Sequence, residues 1–215
     1  METLTAEQAK DLLLHVAEKV TAAKEMLCDA DRNIGDGDHG IGMAKGFEAA
    51  RTALEAERFE DVYAVFSTVG RTMIRVMGGA SGIIFGLLFY AGSKNMPPTA
   101  EIGTAEFSEL FSKALAEIKA KGGAQLGDKT LIDGLQPTVE AMQQSAAKGE
   151  DFQTLIHNAA LAADRGRDAS KGYIARHGKA KTLGERAIGY PDAGCVTLTV
   201  IFGAMDSWAQ KVQES

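Results

Sequence analysis

The residues best suited to chemistry crowd into one short run, Asp29-Ala-Asp31-Arg-Asn33-Ile-Gly35-Asp36-Gly37-Asp38-His39-Gly40. Four carboxylates within ten residues repel one another unless a cation offsets the charge. Carboxylate oxygens are hard ligands suited to Mg²⁺ or Ca²⁺, and no Cys/His cluster offers a softer site. The opening Asp29-x-Asp31-x-Asn33 matches a calcium-binding EF-hand, but the match fails further on. Ile34 stands where that loop needs a turning glycine, and Gly40 where it needs a chelating glutamate. Magnesium takes few carboxylates and completes its shell with water and phosphate oxygens. Three aspartates on a glycine-hinged loop that runs into a helix N-terminus suit it, because free N–H groups and the helix dipole favour phosphate there. The competing reading is a solvated acidic turn with Asp38 as a helix cap.

Three further segments combine glycine with polar groups: Gly78-Gly-Ala-Ser-Gly82, Gly127-Asp-Lys-Thr-Leu131 with Asp133 after it, and Gly184-Glu-Arg-Ala-Ile-Gly189 followed by Asp192-Ala-Gly194. Taken alone, the first reads as a tight helix–helix turn, and Asp128 as a helix cap. Glu185-Arg186 is either a bracing ion pair or a phosphate contact. His157 and His177 read as surface residues. The chain lacks the Gly-x4-Gly-Lys-Ser/Thr pattern of a P-loop. Cys28 and Cys195 are too few for a disulfide framework and read as buried, inert thiols.

Hydrophobic periodicity supplies the elements that must position these groups. Thr5 and Gln8 form a capping box, and Leu12, Leu13, Val16, Val20, Ala23, Met26 and Leu27 share the face that follows. A second helix starts near Asp38–Gly40 with Met43, Phe47 and Ala50, and a third runs from about Glu60 to Met77. A fourth follows Gly78–Gly82 and ends before Pro97-Pro98. Thr104 caps a fifth, and Asp128 opens a sixth that contains Pro137. Asp151 caps a seventh, and an eighth runs from Asp192–Gly194 to Trp208. Its Val196–Val200 stretch is β-branched enough to suggest a strand. Eight helices on short loops imply an antiparallel closed bundle, with the Gly-rich junctions 28–42, 77–82, 121–130 and 176–194 gathered on one rim.

Composition narrows the function. With 45% hydrophobic and only 7% aromatic residues the chain can build a core of closely approaching helices, and it is read as one domain, 1–215. A net charge of −6 without a basic run argues against nucleic-acid binding. The apolar stretches at Ile83–Tyr90 and Cys195–Met205 are too short to span a bilayer, so the expected location is cytoplasmic, away from membranes.

The run Asn33-Ile-Gly-Asp36-Gly-Asp38-His-Gly40 resembles the signature loop of the nucleotide-binding L subunit of dihydroxyacetone kinases. The three later segments agree with that family in order and approximate spacing, so the resemblance covers essentially the whole chain. It implies an all-α fold: a closed antiparallel barrel of eight helices with ADP or ATP and two Mg²⁺ ions at one rim. Carried over residue by residue, it makes Asp31, Asp36 and Asp38 the magnesium ligands. It puts His39, Gly40, Ile41 and Gly42, and then Ala80 and Ser81, beside the phosphates. Gly122 and Leu131 would line the base pocket, and Asp192, Ala193 and Gly194 would close over the nucleotide. Lys179 stands where relatives often carry Arg; it can meet phosphate as a point charge but not as a bidentate fork. Two other departures are Ala193 in place of the usual proline and Gly42 in place of a polar residue.

The resemblance implies half an enzyme. The sugar would be held through a hemiaminal to a histidine of a separate K subunit. This chain would deliver the phosphoryl group by positioning and charge neutralisation. In the phosphotransferase-linked cycle, the expected one, a third phosphotransfer subunit (M) recharges bound ADP at the expense of phosphoenolpyruvate. The alternatives are an ATP-dependent kinase of dihydroxyacetone or a four-carbon ketose such as erythrulose, and a noncatalytic module that regulates a partner through its nucleotide state. A homodimer is left open.

Overall fold

The computed structural model describes residues 1–214. In order the elements are β1 (Thr3–Thr5), α1 (Ala6–Ala22), α2 (Lys24–Arg32), α3 (His39–Glu55), α4 (Val62–Met77), α5 (Gly79–Tyr90), β2 (Glu101–Gly103), α6 (Thr104–Gly122), α7 (Ile132–Ala147), α8 (Phe152–Ser170), a 3-10 stretch (Lys179–Ala187) and α9 (Ala193–Glu214). Packing closes a ring: α1 lies on α3, then α3 on α4, α4 on α5, α5 on α6, α6 on α7, α7 on α8, α8 on α9, and α9 back on α1. At the closing seam Trp208 Nε1 donates to Asp11 at 2.7 Å, and His15 meets the Ser207 hydroxyl at 3.0 Å. The extra helix α2 packs on α3 and α9. The expected barrel of eight helices is therefore what forms.

A cluster of phenylalanines occupies the middle of the barrel. Phe107 packs on Phe66, Phe111 and Phe152, and Phe111 on Phe202, with ring centroids 4.7–6.0 Å apart. Close approach between helices depends on glycine. A Cβ on Gly70 of α4 would lie 2.4 Å from the Gly86 carbonyl of α5, and one on Gly166 of α8 would lie 2.4 Å from the Asp133 carbonyl of α7. Pro137 lacks the N–H that would have bonded that Asp133 carbonyl, so α7 is bare where α8 crosses it.

The two ends of the barrel differ. At one end the short antiparallel ribbon β1–β2 joins the starts of α1 and α6. Val62 N–H donates to Thr99 O at 2.9 Å and Phe152 N–H to Met1 O at 3.2 Å, which brings the starts of α4 and α8 to the same end. Side chains satisfy these helix ends. Thr5 accepts from Gln8 N–H at 3.2 Å, Asp61 from Tyr63 and Ala64 N–H at 3.1 and 3.2 Å, and Asp151 from Thr154 N–H at 2.9 Å. Glu106 accepts from Gly103 N–H at 3.1 Å. The helices α3, α5, α7 and α9 start at the opposite end, where the Gly-rich junctions lie.

Four local readings change. The first helix breaks at Ala23 into α1 and α2, because the backbone there (φ −80°, ψ 3°) leaves helical geometry. Thr104 is the first residue of α6 rather than its cap, since Gly103 takes the extended cap conformation. The sixth helix of the sequence reading begins at Ile132, not Asp128, whose carboxylate instead accepts from Gln125 N–H at 2.8 Å and closes the preceding turn. Val196–Val200 is helical: burial of Val196, Thr197 and Leu198 within the ring outweighs the strand preference of the β-branched Val196, Thr197, Thr199 and Val200. Among the described residues no helix is long and apolar enough to cross a membrane.

The Gly70–Gly86 crossing predicts that Gly70→Ala lowers unfolding stability by about 1–3 kcal/mol, the usual cost of overpacking. Urea denaturation monitored by circular dichroism checks this, with an unchanged midpoint as the contrary result.

Candidate functional site

At the end where α3, α5, α7 and α9 begin lies a cavity of about 820 Å³. Its wall takes in Asp31, Asp36, Asp38, His39, Ile41 and Gly42 from the acidic loop, and Gly78–Ser81 from the second turn. Gly122 and Leu131, Lys179, and Asp192–Gly194 complete it. Every site residue expected from the sequence reaches this wall except Gly40. A Cβ there would sit 2.0 Å from the Lys24 carbonyl and 2.8 Å from Cys28 Sγ, so Gly40 lets α3 start hard against α2 instead of facing the cavity.

The acidic loop is built around Asp31. Its carboxylate accepts from Gly37 N–H at 2.8 Å and His39 N–H at 3.4 Å. Gly35 passes so close that a Cβ would lie 2.1 Å from Asp31 Oδ1. This winding brings oxygens of Asp31, Asp36 and Asp38 within 4.8 Å of one another. Asp38 occupies the cap position of α3, yet its side chain bonds no N–H of the helix. The capping part of the competing reading therefore fails, and the exposed carboxylate faces Lys179 Nζ at 3.9 Å instead. Three mutually close carboxylates that face an open cavity are a hard-cation donor set, and they fit Mg²⁺.

His39 is occupied differently from the sequence expectation. Its ring packs 5.8 Å from Phe85 and its Nε2 lies 2.7 Å from the Thr197 hydroxyl, which itself donates to Ala193 O at 3.1 Å. With that hydroxyl proton committed, Nε2–H is the donor. Burial lowers the imidazole pKa and keeps the ring neutral. His39 thus wedges α3 against α5 and α9 while its backbone serves the loop.

Across the cavity, Gly78 and Gly79 both take left-handed φ (68° and 60°), which turns the chain into α5 without any side-chain cap. The first-turn N–H groups of Gly79, Ala80 and Ser81 have no intrahelical partners as a result. They carry the positive end of the α5 dipole toward the aspartates, an arrangement that receives an anion.

Sequence reasoning missed the role of Lys129. This residue is buried, holds φ +57°, and donates from Nζ to Ser170 O and Tyr190 O, both at 2.6 Å. Burial lowers its pKa. It ties the 125–131 turn to the segment after α8. Buried Asp133 accepts from Thr130 N–H at 2.7 Å, and burial raises its pKa. Asp128 holds the other side: Arg176 N–H donates to its carbonyl at 3.0 Å, and His177 Nε2 lies 3.3 Å from its carboxylate. His177 is thus part of the cavity wall rather than a free surface residue, whereas His157 pairs with Asp206 at 3.1 Å away from it. Glu185 and Arg186 form no ion pair among the described residues; Arg186 Nε donates to Leu183 O at 3.4 Å. Only the quoted Gly127-Asp-Lys-Thr-Leu131 pattern hinted at this network.

A closed helical barrel with uncapped helix ends and a carboxylate triad around one cavity has the chemistry to hold a metal-complexed anion. The DAK2 domain family matches residues 33–207. The ADP-binding subunit of a PEP-dependent dihydroxyacetone kinase from Listeria innocua is 36% identical over 87% of this chain and 89% of its own. The corresponding subunit of a PTS-dependent kinase from Lactococcus lactis is 34% identical over 93% and 95%. A D-erythrulose kinase from Mycolicibacterium smegmatis is 32% identical, but this chain spans only 32% of its length. The crystal structure of the dihydroxyacetone kinase of C. freundii superposes with a TM-score of 0.70 over 93% of this chain and 34% of that one, at 24% identity, which bears on the fold. The chain belongs to the DAK2 domain family.

Asp192 caps α9 by accepting from Cys195 N–H at 2.9 Å, and burial pushes its pKa up to about 6. Its folded pKa exceeds its unfolded value, so the native state binds the extra proton between about pH 4 and 6, and stability falls as pH rises through that window. Asparagine keeps the cap without the charge. Asp192→Asn should therefore be more stable than the parent at pH 7.5, with the advantage disappearing below pH 4. Melting temperature against pH measures it; an advantage that persists at pH 3.5 would contradict the assignment.

Proposed function

We propose that this chain is the nucleotide-carrying subunit of a two-component dihydroxyacetone-type kinase, and that all 215 residues form that one unit. One observation carries the reading: the triad Asp31, Asp36 and Asp38 faces the uncapped N-terminus of α5 across a single cavity. Neither half suffices for a nucleotide. Carboxylates repel phosphates, and a helix end alone is a weak anion site. Together they fit a polyphosphate whose oxygens are shared between metal and N–H groups.

Two magnesium ions held by the triad would neutralise phosphate charge. The chain's own residues do the positioning. Gly78 and Gly79 bring the Ala80 and Ser81 N–H groups within reach of the phosphates, and Gly122 and Leu131 leave an apolar slot for the base. Asp192–Gly194 at the start of α9 bounds the far side. The acceptor sits on a K subunit docked at the rim. Exposed Ile41, Leu126, Ile188 and Tyr190 on the segments that frame the cavity give a partner apolar contact.

One fact favours recharging by a phosphotransfer subunit over exchange with ATP: the relatives that match almost end to end are named PEP- or PTS-dependent.

Asp36→Ala and Asp38→Ala are predicted to weaken Mg²⁺·ADP binding by on the order of a hundredfold or more while helical content stays at the parent level. Calorimetric titration with Mg²⁺·ADP, paired with circular dichroism, tests this. Parent-like affinity in both variants would remove the metal-site assignment. The donor is tested by adding a K subunit, dihydroxyacetone and either ATP or a phosphoenolpyruvate-fed phosphoryl carrier. Turnover with ATP alone would overturn the carrier-linked cycle.

A further inference from the structure

Lys179 stands where a cation belongs. Its ammonium is hydrogen bonded to Asp36 and lies 3.9 Å from Asp38 Oδ1, although 143 residues separate Lys179 from Asp36. It arrives there on a strap, residues 171–192, that is anchored at both ends and lines the cavity with residues 177–180. At one end Arg176 N–H bonds Asp128 O at 3.0 Å. At the other, Gly189 N–H bonds Lys171 O at 2.8 Å, Asp192 N–H bonds the Ser170 hydroxyl at 3.0 Å, and Lys129 holds Tyr190 O at 2.6 Å. Between the anchors, Gly178 (φ +63°) and Gly184 (φ +56°) flank the segment that carries Lys179. These two turns bring Lys179 to the triad between the anchored ends.

Resting on the reading that the triad holds a divalent ion, we propose that Lys179 is a built-in counter-cation that competes with the metal for Asp36 and Asp38. A carboxylate oxygen that ligates Mg²⁺ at about 2.0–2.1 Å cannot also hold an ammonium, and the two cations repel. Metal without nucleotide thus evicts Lys179 and frees the middle of the strap. Nucleotide phosphates then give the ammonium a new partner, and the strap closes again over the loaded site. The order matters: without metal Lys179 holds the strap on the triad, metal releases it, and metal with nucleotide draws it back.

The test uses Mn²⁺ alone as the probe, in calorimetric or electron-spin titrations of the full chain. Lys179→Met should bind Mn²⁺ roughly two- to fivefold more tightly than the parent, the range expected for loss of one competing exposed ion pair. Lys45→Met is the control for general charge, because Lys45 lines the same cavity without an ion pair to the triad. It should move the affinity less. Equal affinities in the parent and Lys179→Met, or an equal gain in Lys45→Met, overturn the proposal while leaving the metal site intact. An Asp36→Asn variant that binds Mn²⁺ like the parent overturns the metal reading and this proposal with it. Hydrogen exchange gives a second readout. Mg²⁺ alone should speed exchange of the amides between 179 and 188, and Mg²⁺ with ADP should slow it. Slower or unchanged exchange with Mg²⁺ alone contradicts the mechanism.

Discussion

Three carboxylates whose oxygens lie within 4.8 Å of one another need positive charge beside them. In this chain the first source is Lys179, whose contact with Asp36 lowers the aspartate's pKa and raises its own. Both side chains are exposed, so water screens the pair, and its worth lies in where it puts the strap rather than in stability. The second source is the set of N–H groups at the start of α5. Most other features of the site end follow from the need to hold the aspartates together opposite those groups: the sharp turn at Gly35, the N–H bonds from Gly37 and His39 to Asp31, and the left-handed pair Gly78–Gly79.

The barrel meets this need by dividing labour between its ends. The starts of α1, α4, α6 and α8 are satisfied by Thr5, Asp61, Glu106 and Asp151, and there the chain looks after its own backbone. At the other end α3 and α5 lack side-chain caps. The exposed first-turn N–H groups of α5 are left to solvent, ready for an anion.

Much of this was legible in the sequence because it is local. The Thr5/Gln8 capping box, the amphipathic periods of Met43–Ala50 and Phe107–Ile118, and the glycine-spaced aspartates all write their structure within a few residues. What escaped depends on the ring being closed. Val196–Val200 reads as a strand until α1, α7 and α8 surround it. Gly40 reads as a phosphate contact until α2 is seen to fill the space above it. Lys129 carries no local signal of its role, because the carbonyls that it binds lie 41 and 61 residues away. Asp128 reads as a helix cap, while the residues that it holds, Arg176 and His177, come from the strap.

The measurement that tests the central claim most directly is the nucleotide content of the purified protein, released by denaturation and resolved by anion exchange, before and after exhaustive chelation. The account predicts stoichiometric ADP that survives dialysis and leaves once the metal is stripped. A protein that carries no nucleotide and remains indifferent to ADP and ATP with magnesium present would contradict it.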